Sequence, residues 1–181
     1  MQVNETGLEG PLLLSPAVHR DERGFFLESY NARAFNEAVG REVVFVQDNH
    51  LASTKGVLRG LHYQHPRPQG KLVRVTAGEM WDVVVDLRRT SPTFGRWFGT
   101  VLSAENRLQL WIPEGFAHGF LTLTDSAEVQ YKTTDYWVHD AERCIAWNDA
   151  DIGIDWPLAG GPILSDRDHS GSTLRDAVLF A

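Results

Sequence analysis

Residues 80–87 read MWDVVVDL, a short apolar run rich in valine and bounded by Gly78 on one side and Ser91-Pro92 on the other. A stiff, β-branched run of this length favours a buried strand over a helix. It is one of many. Residues 43–46 (VVFV), 71–75 (KLVRV), 97–102 (WFGTVL), 108–112 (LQLWI), 120–123 (FLTL) and 129–133 (VQYKT) also read as strands. Turn signals separate them at Ala77-Gly78, Ser91-Pro92, Glu105-Asn106, Pro113-Glu114-Gly115 and Thr124-Asp125-Ser126. Many short strands at this spacing predict a sandwich or barrel and exclude a parallel βαβ sheet. The expected fold is all-β, a double-sheet jelly roll (double-stranded β-helix) with a few short helices. The clearest helix candidate is 31–39, NARAFNEAV, with Asn31 to cap its start and Gly40 to stop it. Toward the C-terminus the pattern becomes irregular, with room for one short helix.

No linker, repeat or low-complexity tract interrupts the 181 residues, which predicts one domain over 1–181. The formal net charge is −7, so there is no basic excess to neutralise a nucleic-acid backbone. A few local arginines would still suffice for one phosphorylated small molecule. Cys144 is the only cysteine, which excludes an intrachain disulfide, and no cysteine-based zinc site is expected. The start, MQVNETGLEGPLLL, has no basic n-region, and no apolar run is long enough to span a bilayer. A cytoplasmic protein with no membrane partner is expected.

Neither GxGxxG nor GxxxxGK[ST] nor GxSxG occurs, so no Rossmann, P-loop or serine-hydrolase site is written in the chain. Cys144, in RCIAW, reads as a buried thiol. Two polar clusters stand out. The first, 59–65, is RGLHYQH and is followed by Lys71; the second, 113–120, is PEGFAHGF. The second is similar to the PxGxxH signature of cupins, whose histidine commonly binds metal. A metal cupin would carry His-x-His in the first cluster, both rings on one strand face. Here Gln64 stands two residues after His62, and His65 falls on the other face. His62 and His118 alone make a poor site, so no metal is expected. A metal-free reading uses the same residues for proton abstraction beside a carbonyl. His62 is the base, Lys71 supplies positive charge to an enolate oxygen, and Tyr131 returns a proton. Each also has an ordinary structural alternative: a hydrogen-bonded core histidine, a solvated lysine at a strand end, a packed aromatic.

Nine collinear motifs sharpen this. They are DERGFFLE (21–28), QDN (47–49), LRGLHYQ (58–64), QGK (69–71), IPEGFAHGF (112–120), YKTTDY (131–136), WND (147–149), DWP (155–157) and LSDRD (164–168). Together they resemble the dTDP-4-dehydrorhamnose 3,5-epimerase family. The resemblance implies a cupin-type jelly-roll homodimer that needs no metal or organic cofactor. It also implies a dTDP-4-keto-6-deoxy sugar as substrate, dTDP-4-dehydro-6-deoxy-D-glucose, inverted to dTDP-4-dehydro-L-rhamnose. On the same basis His62 removes the protons at C3 and C5, Asp168 pairs with it, Lys71 lies near the enolate oxygen, and Tyr131 donates from the opposite face. Arg23, Phe25, Glu28, Gln47, Asp48, Asn49, Arg59, His118, Trp137, Glu142 and Arg167 match substrate-binding positions. Arginines suit the diphosphate. Arg167 stands where many relatives have lysine, and Trp137 where many have tyrosine. Exchange of N-terminal strands between protomers would send Arg23 and Glu28 to the partner's site. Strict strand alternation puts Arg59 and His62 on opposite faces unless Gly60 allows a bulge. Other readings remain: a C3-only or C5-only epimerase of the same fold, a metal-dependent cupin enzyme, or a non-catalytic sugar-nucleotide binder.

Overall fold

The computed structural model describes residues 1–181. Thirteen strands run in chain order: β1 (Gln2–Glu5), β2 (Leu12–Ser15), β3 (Val18–Asp21), β4 (Gly24–Leu27), β5 (Gln47–Thr54), β6 (Leu58–Gln64), β7 (Lys71–Ala77), β8 (Glu79–Asp86), β9 (Trp97–Ser103), β10 (Gln109–Ile112), β11 (Phe116–Thr122), β12 (Ser126–Thr133) and β13 (Glu142–Cys144). Helix α1 (Ala32–Val39) and the one-turn α2 (Asp166–His169) are the only α-helices. One antiparallel sheet has the order β1-β2-β10-β7-β12-β5 and the other β13-β6-β11-β8-β9; β3 and β4 form a separate hairpin. The two sheets make the jelly roll the strand spacing predicts.

Strand β8 shows why its sequence has no polar alternation. Met80 and Val84 face the inter-sheet core with Leu110, Ile112, Val73 and Val129. Val83, Val85 and Leu87 face outward and are covered by Ile145, Ile152, Trp156 and Leu174 from the C-terminal segment. Both faces are dry, so both are apolar. The exceptions on the inner face, Asp82 and Asp86, are fully buried. Burial of carboxylates demands partners, and Asp86 finds Arg88, Ser91 and Thr93 at 2.5–2.9 Å.

Helix α1 forms where its caps predict. Asn31 Oδ1 accepts from the Arg33 and Ala34 amides, and Gly40 closes the helix at φ 71°. The helix drops Phe35 onto Trp111, Leu14 and Leu72, on the outer face of the six-stranded sheet. This corrects the strand expected at residues 43–46. That stretch is not a strand. Val43 and Phe45 are drawn into the cluster around Phe35. Only the Val46 amide reaches β12, at Thr133 O (2.9 Å). The strand begins instead at the polar Gln47 and forms a sheet edge. The strands at residues 2–27 lacked a readable apolar pattern, because β1, β3 and β4 are mostly exposed.

The register of β6 against β11 resolves the Arg59–His62 conflict. His62 lies opposite His118, and Arg59 opposite Phe120, so three steps along β6 match two along β11. The extra residue is a bulge that turns both side chains inward. Gly60, at φ +124°, makes it possible. A Cβ there would lie 2.5 Å from Gly119 Cα and 2.8 Å from His118 O. Gly60→Ala is therefore expected to cost about 2–4 kcal/mol through strain and overpacking. Urea unfolding should show this as a lower midpoint at unchanged slope.

Candidate active site

His62 projects from β6 into the mouth of the barrel, its side chain 30% exposed. Its Nε2 lies 2.6 Å from Asp168 Oδ1. Asp168 is held by a reciprocal cap at the start of α2. The Ser165 hydroxyl donates to Asp168 Oδ2 (2.6 Å) and accepts from the Asp168 amide (3.3 Å). The Gly60 amide adds a third donor to Oδ1 at 3.1 Å. Burial alone would raise this carboxyl's pKa, but hydrogen bonds from His62, Ser165 and Gly60 outweigh it and hold the pKa at about 2. The ionised Asp168 accepts a hydrogen bond from the Nε2–H of His62, which leaves the imidazole lone pair on Nδ1.

Lys71 opens β7, with Nζ 3.4 Å from His62 O. Burial lowers its pKa to about 8, partly countered by Asp82 and Glu142. Tyr131 lies on the inner face of β12, cross-strand from Asn49 and Val73. Burial raises the phenol's pKa, Glu142 raises it further, and Arg59 opposes. The phenol therefore keeps its proton at neutral pH. Arg59 reaches Ser53 Oγ at 3.0 Å, and Arg167 pairs with Glu142 at 2.6 Å. Gln47 donates to Asn49 Oδ1 (2.9 Å) and accepts from the Trp137 amide (3.1 Å), with Trp137 half-exposed at the rim. His118 is buried and bonded to Asp82 at 2.9 Å. Its Nε2 is thus occupied by a carboxylate.

Other expected residues stand elsewhere. Asp48 alternates outward between Gln47 and Asn49 and pairs with Lys132 at 2.9 Å. There it lines a cavity of about 360 Å³ with Arg74 and Gln109, on the α1 side of the sheet. Arg23 pairs with Asp21 on the β3–β4 hairpin, where Phe25 stacks on Arg107 at 4.2 Å and is 56% exposed. Glu28 follows directly after that hairpin. Within one chain these three are not brought to His62. Three further residues were not singled out for the site: Ser165, which orients Asp168; Asp82, which orients His118; and Cys144, which β13 places opposite His62. The Ser-x-x-Asp cap at 165–168 was a legible signal for the first. Nothing local signals the other two. The Cys144 thiol is half-buried rather than buried, and its pKa is pushed up to about 12, by burial first and then by Asp168, so it stays protonated.

The model of the dTDP-4-dehydrorhamnose 3,5-epimerase family matches residues 5–176. A dTDP-4-dehydrorhamnose 3,5-epimerase of Pseudomonas aeruginosa is 57% identical over 180 residues, covering 99% of both chains. Among solved structures, an epimerase of Legionella pneumophila in complex with dTDP-4-keto-L-rhamnose superposes with a TM-score of 0.95. It is 47% identical and covers 97% of this chain and 93% of its own. A 3'-monoepimerase of Streptomyces bikiniensis, in complex with dTDP-quinovose, gives 0.88 at 36% identity, covering 93% and 86%. With an orienting carboxylate behind one histidine, a second histidine tied to its own carboxylate, and this likeness along nearly its whole length, the chain belongs to the dTDP-4-dehydrorhamnose 3,5-epimerase family.

Proposed function

We propose that this protein is a cofactor-independent epimerase that inverts C3 and C5 of dTDP-4-dehydro-6-deoxy-D-glucose to give dTDP-4-dehydro-L-rhamnose. The observation that carries the reading is the ionised Asp168 behind His62, with Lys71 and Tyr131 on neighbouring strands of the same barrel. The C4 ketone acidifies the hydrogens on C3 and C5. His62 Nδ1 takes one of them, and the electron pair moves into the C4 oxygen. The Lys71 ammonium stabilises that enolate oxygen. Tyr131 delivers a proton to the opposite face of C5, water supplies the opposite-face proton at C3, and after each inversion His62 loses its proton to solvent while the donor regains one. Inversion needs this second donor, because a single base can only return the proton to the face it came from. Arg59 and Arg167 suit the diphosphate.

The working unit is a homodimer in the cytoplasm. Its support is the exposed hairpin, where Phe25 and Phe26 are 56% and 70% exposed in one chain and which carries Arg23 and leads to Glu28. Across a two-fold axis these would complete the partner's site. No helix is long and apolar enough to cross a membrane. No role falls to nucleic acid.

Proton NMR in heavy water tests the reading. Deuterium should enter both C3 and C5 of dTDP-4-dehydro-6-deoxy-D-glucose. Exchange at one carbon alone would make the protein a single-position epimerase, like the 3'-monoepimerase that resembles it. Tyr131→Phe is expected to slow C5 inversion by roughly 10²-fold while C3 exchange persists. If both inversions ran at the wild-type rate in Tyr131→Phe, Tyr131 would not be the proton donor.

A further inference from the structure

Sequence spacing hides a set of three donors. Cys144 sits opposite His62 across the β13–β6 pair, and Asp168 arrives from α2. A ring nitrogen of His62, the Cys144 sulfur and an Asp168 oxygen all lie within 4.8 Å of one another. In a tetrahedral zinc site such donors stand roughly 3.3–3.6 Å apart. Contraction of about an ångström on the sulfur side, with slight opening of the 2.6 Å His62–Asp168 contact, would close the cage. We propose that His62, Cys144 and Asp168 form an inhibitory site for a thiophilic divalent cation, of which Zn²⁺ is the physiological example. The proposal rests on the catalytic reading of His62 above and adds regulation to that site.

The chemistry favours such an ion over Mg²⁺ or Ca²⁺. One thiolate, one imidazole and one carboxylate make a borderline-soft set. The fourth position is left for water. Ser165 already orients Asp168 through Oδ2, the kind of outer support that fixes a metal ligand. The local field is mixed: Lys71 and Arg167 oppose a cation, while Asp82 and Glu142 offset them.

Binding would switch off the base for a definite reason. The free enzyme keeps the His62 proton on Nε2, facing Asp168. A cation on Nε2 needs the lone pair there, so that proton moves to Nδ1, the nitrogen that must accept the substrate's hydrogen. The Cys144 thiol proton leaves to solvent as the sulfur–metal bond forms. Nothing is oxidised or reduced.

The test uses the full-length protein, stripped with chelator. Zn²⁺ should inhibit C3 and C5 exchange at low-micromolar concentration, and chelator should restore it. Cd²⁺ should produce a thiolate-to-metal charge-transfer absorption in the ultraviolet. Cys144 is the chain's only cysteine, so the band can arise nowhere else. Cys144→Ala and Cys144→Ser should keep metal-free activity, lose the Cd²⁺ band, and need roughly 10–100-fold more Zn²⁺ for half inhibition. Equal Zn²⁺ sensitivity in both variants, or no Cd²⁺ band in the wild type, would overturn the site. The band reads the site without substrate, so a failed epimerase assignment would show as absent exchange with the band intact.

Discussion

Replacing His62 with alanine is expected to lower kcat by roughly 10²–10⁴-fold, the share a positioned general base supplies. KM should change little, because the nucleotide and diphosphate are held by groups other than the imidazole. Asp168→Asn probes the same unit from behind. The amide keeps the size of the carboxylate but removes the negative charge that faces the Nε2–H. It can also turn its NH₂ toward Nε2, which would place the imidazole's proton on the wrong nitrogen. A fall close to that of His62→Ala, with the double variant no worse than either single one, would mark the pair as one functional unit. Retention of exchange within about 10-fold in His62→Ala would remove His62 from the role of base. Circular dichroism separates the chemical effect from a folding one. Asp168 is buried and bonded to Gly60 and Ser165 as well as His62, so its variant must be shown to melt as a folded protein.

Lys71→Met carries the second large effect, and its sign differs between activity and stability. Loss of the ammonium should cost roughly 10²–10³-fold in kcat, as for other donors aimed at a developing oxyanion. Burial has lowered the lysine's pKa to about 8 from 10.5. Below about 8 the folded protein keeps the charge, and above it the charge is lost. The free enzyme's kcat/KM should therefore fall as pH rises through about 8, and Lys71→Met should show no such limb at its lower rate. Stability runs the other way. A lysine with a lowered folded pKa opposes folding below about pH 8, and that opposition fades as pH climbs toward 10.5. Methionine removes it, so Lys71→Met should have a higher Tm than the wild type at pH 7. A less active, more stable variant is the signature of a charge held buried for chemistry. An unchanged alkaline limb in Lys71→Met would assign that titration to another group.

How far the sequence could be read follows from which interactions are local. The cap at Asn31 and the stop at Gly40 are set by neighbours within one turn, and α1 is where they place it. The run at 80–87 becomes a strand with no polar alternation because both its faces are dry, whereas 71–75, 97–102 and 129–133 are strands with partly exposed positions. Residues 43–46 have the same composition and are no strand, because α1 draws Val43 and Phe45 into its own cluster. The candidate set for proton transfer was legible only through collinear motifs; periodicity alone could not distinguish His62 from a core histidine. Gly60 was readable as a place where alternation can fail, and the register of β6 on β11 shows that it does. The sequence by itself determined the all-β class, the helix at 32–39 and the residue types available for proton transfer. Only the tertiary structure decided which of them meet. It places Asp168 and Cys144 against His62, separates Asp48 from its neighbours Gln47 and Asn49, and sends the Arg23 hairpin away from its own site. Those outcomes depend on the register of strands far apart in the chain, and no local pattern carries it.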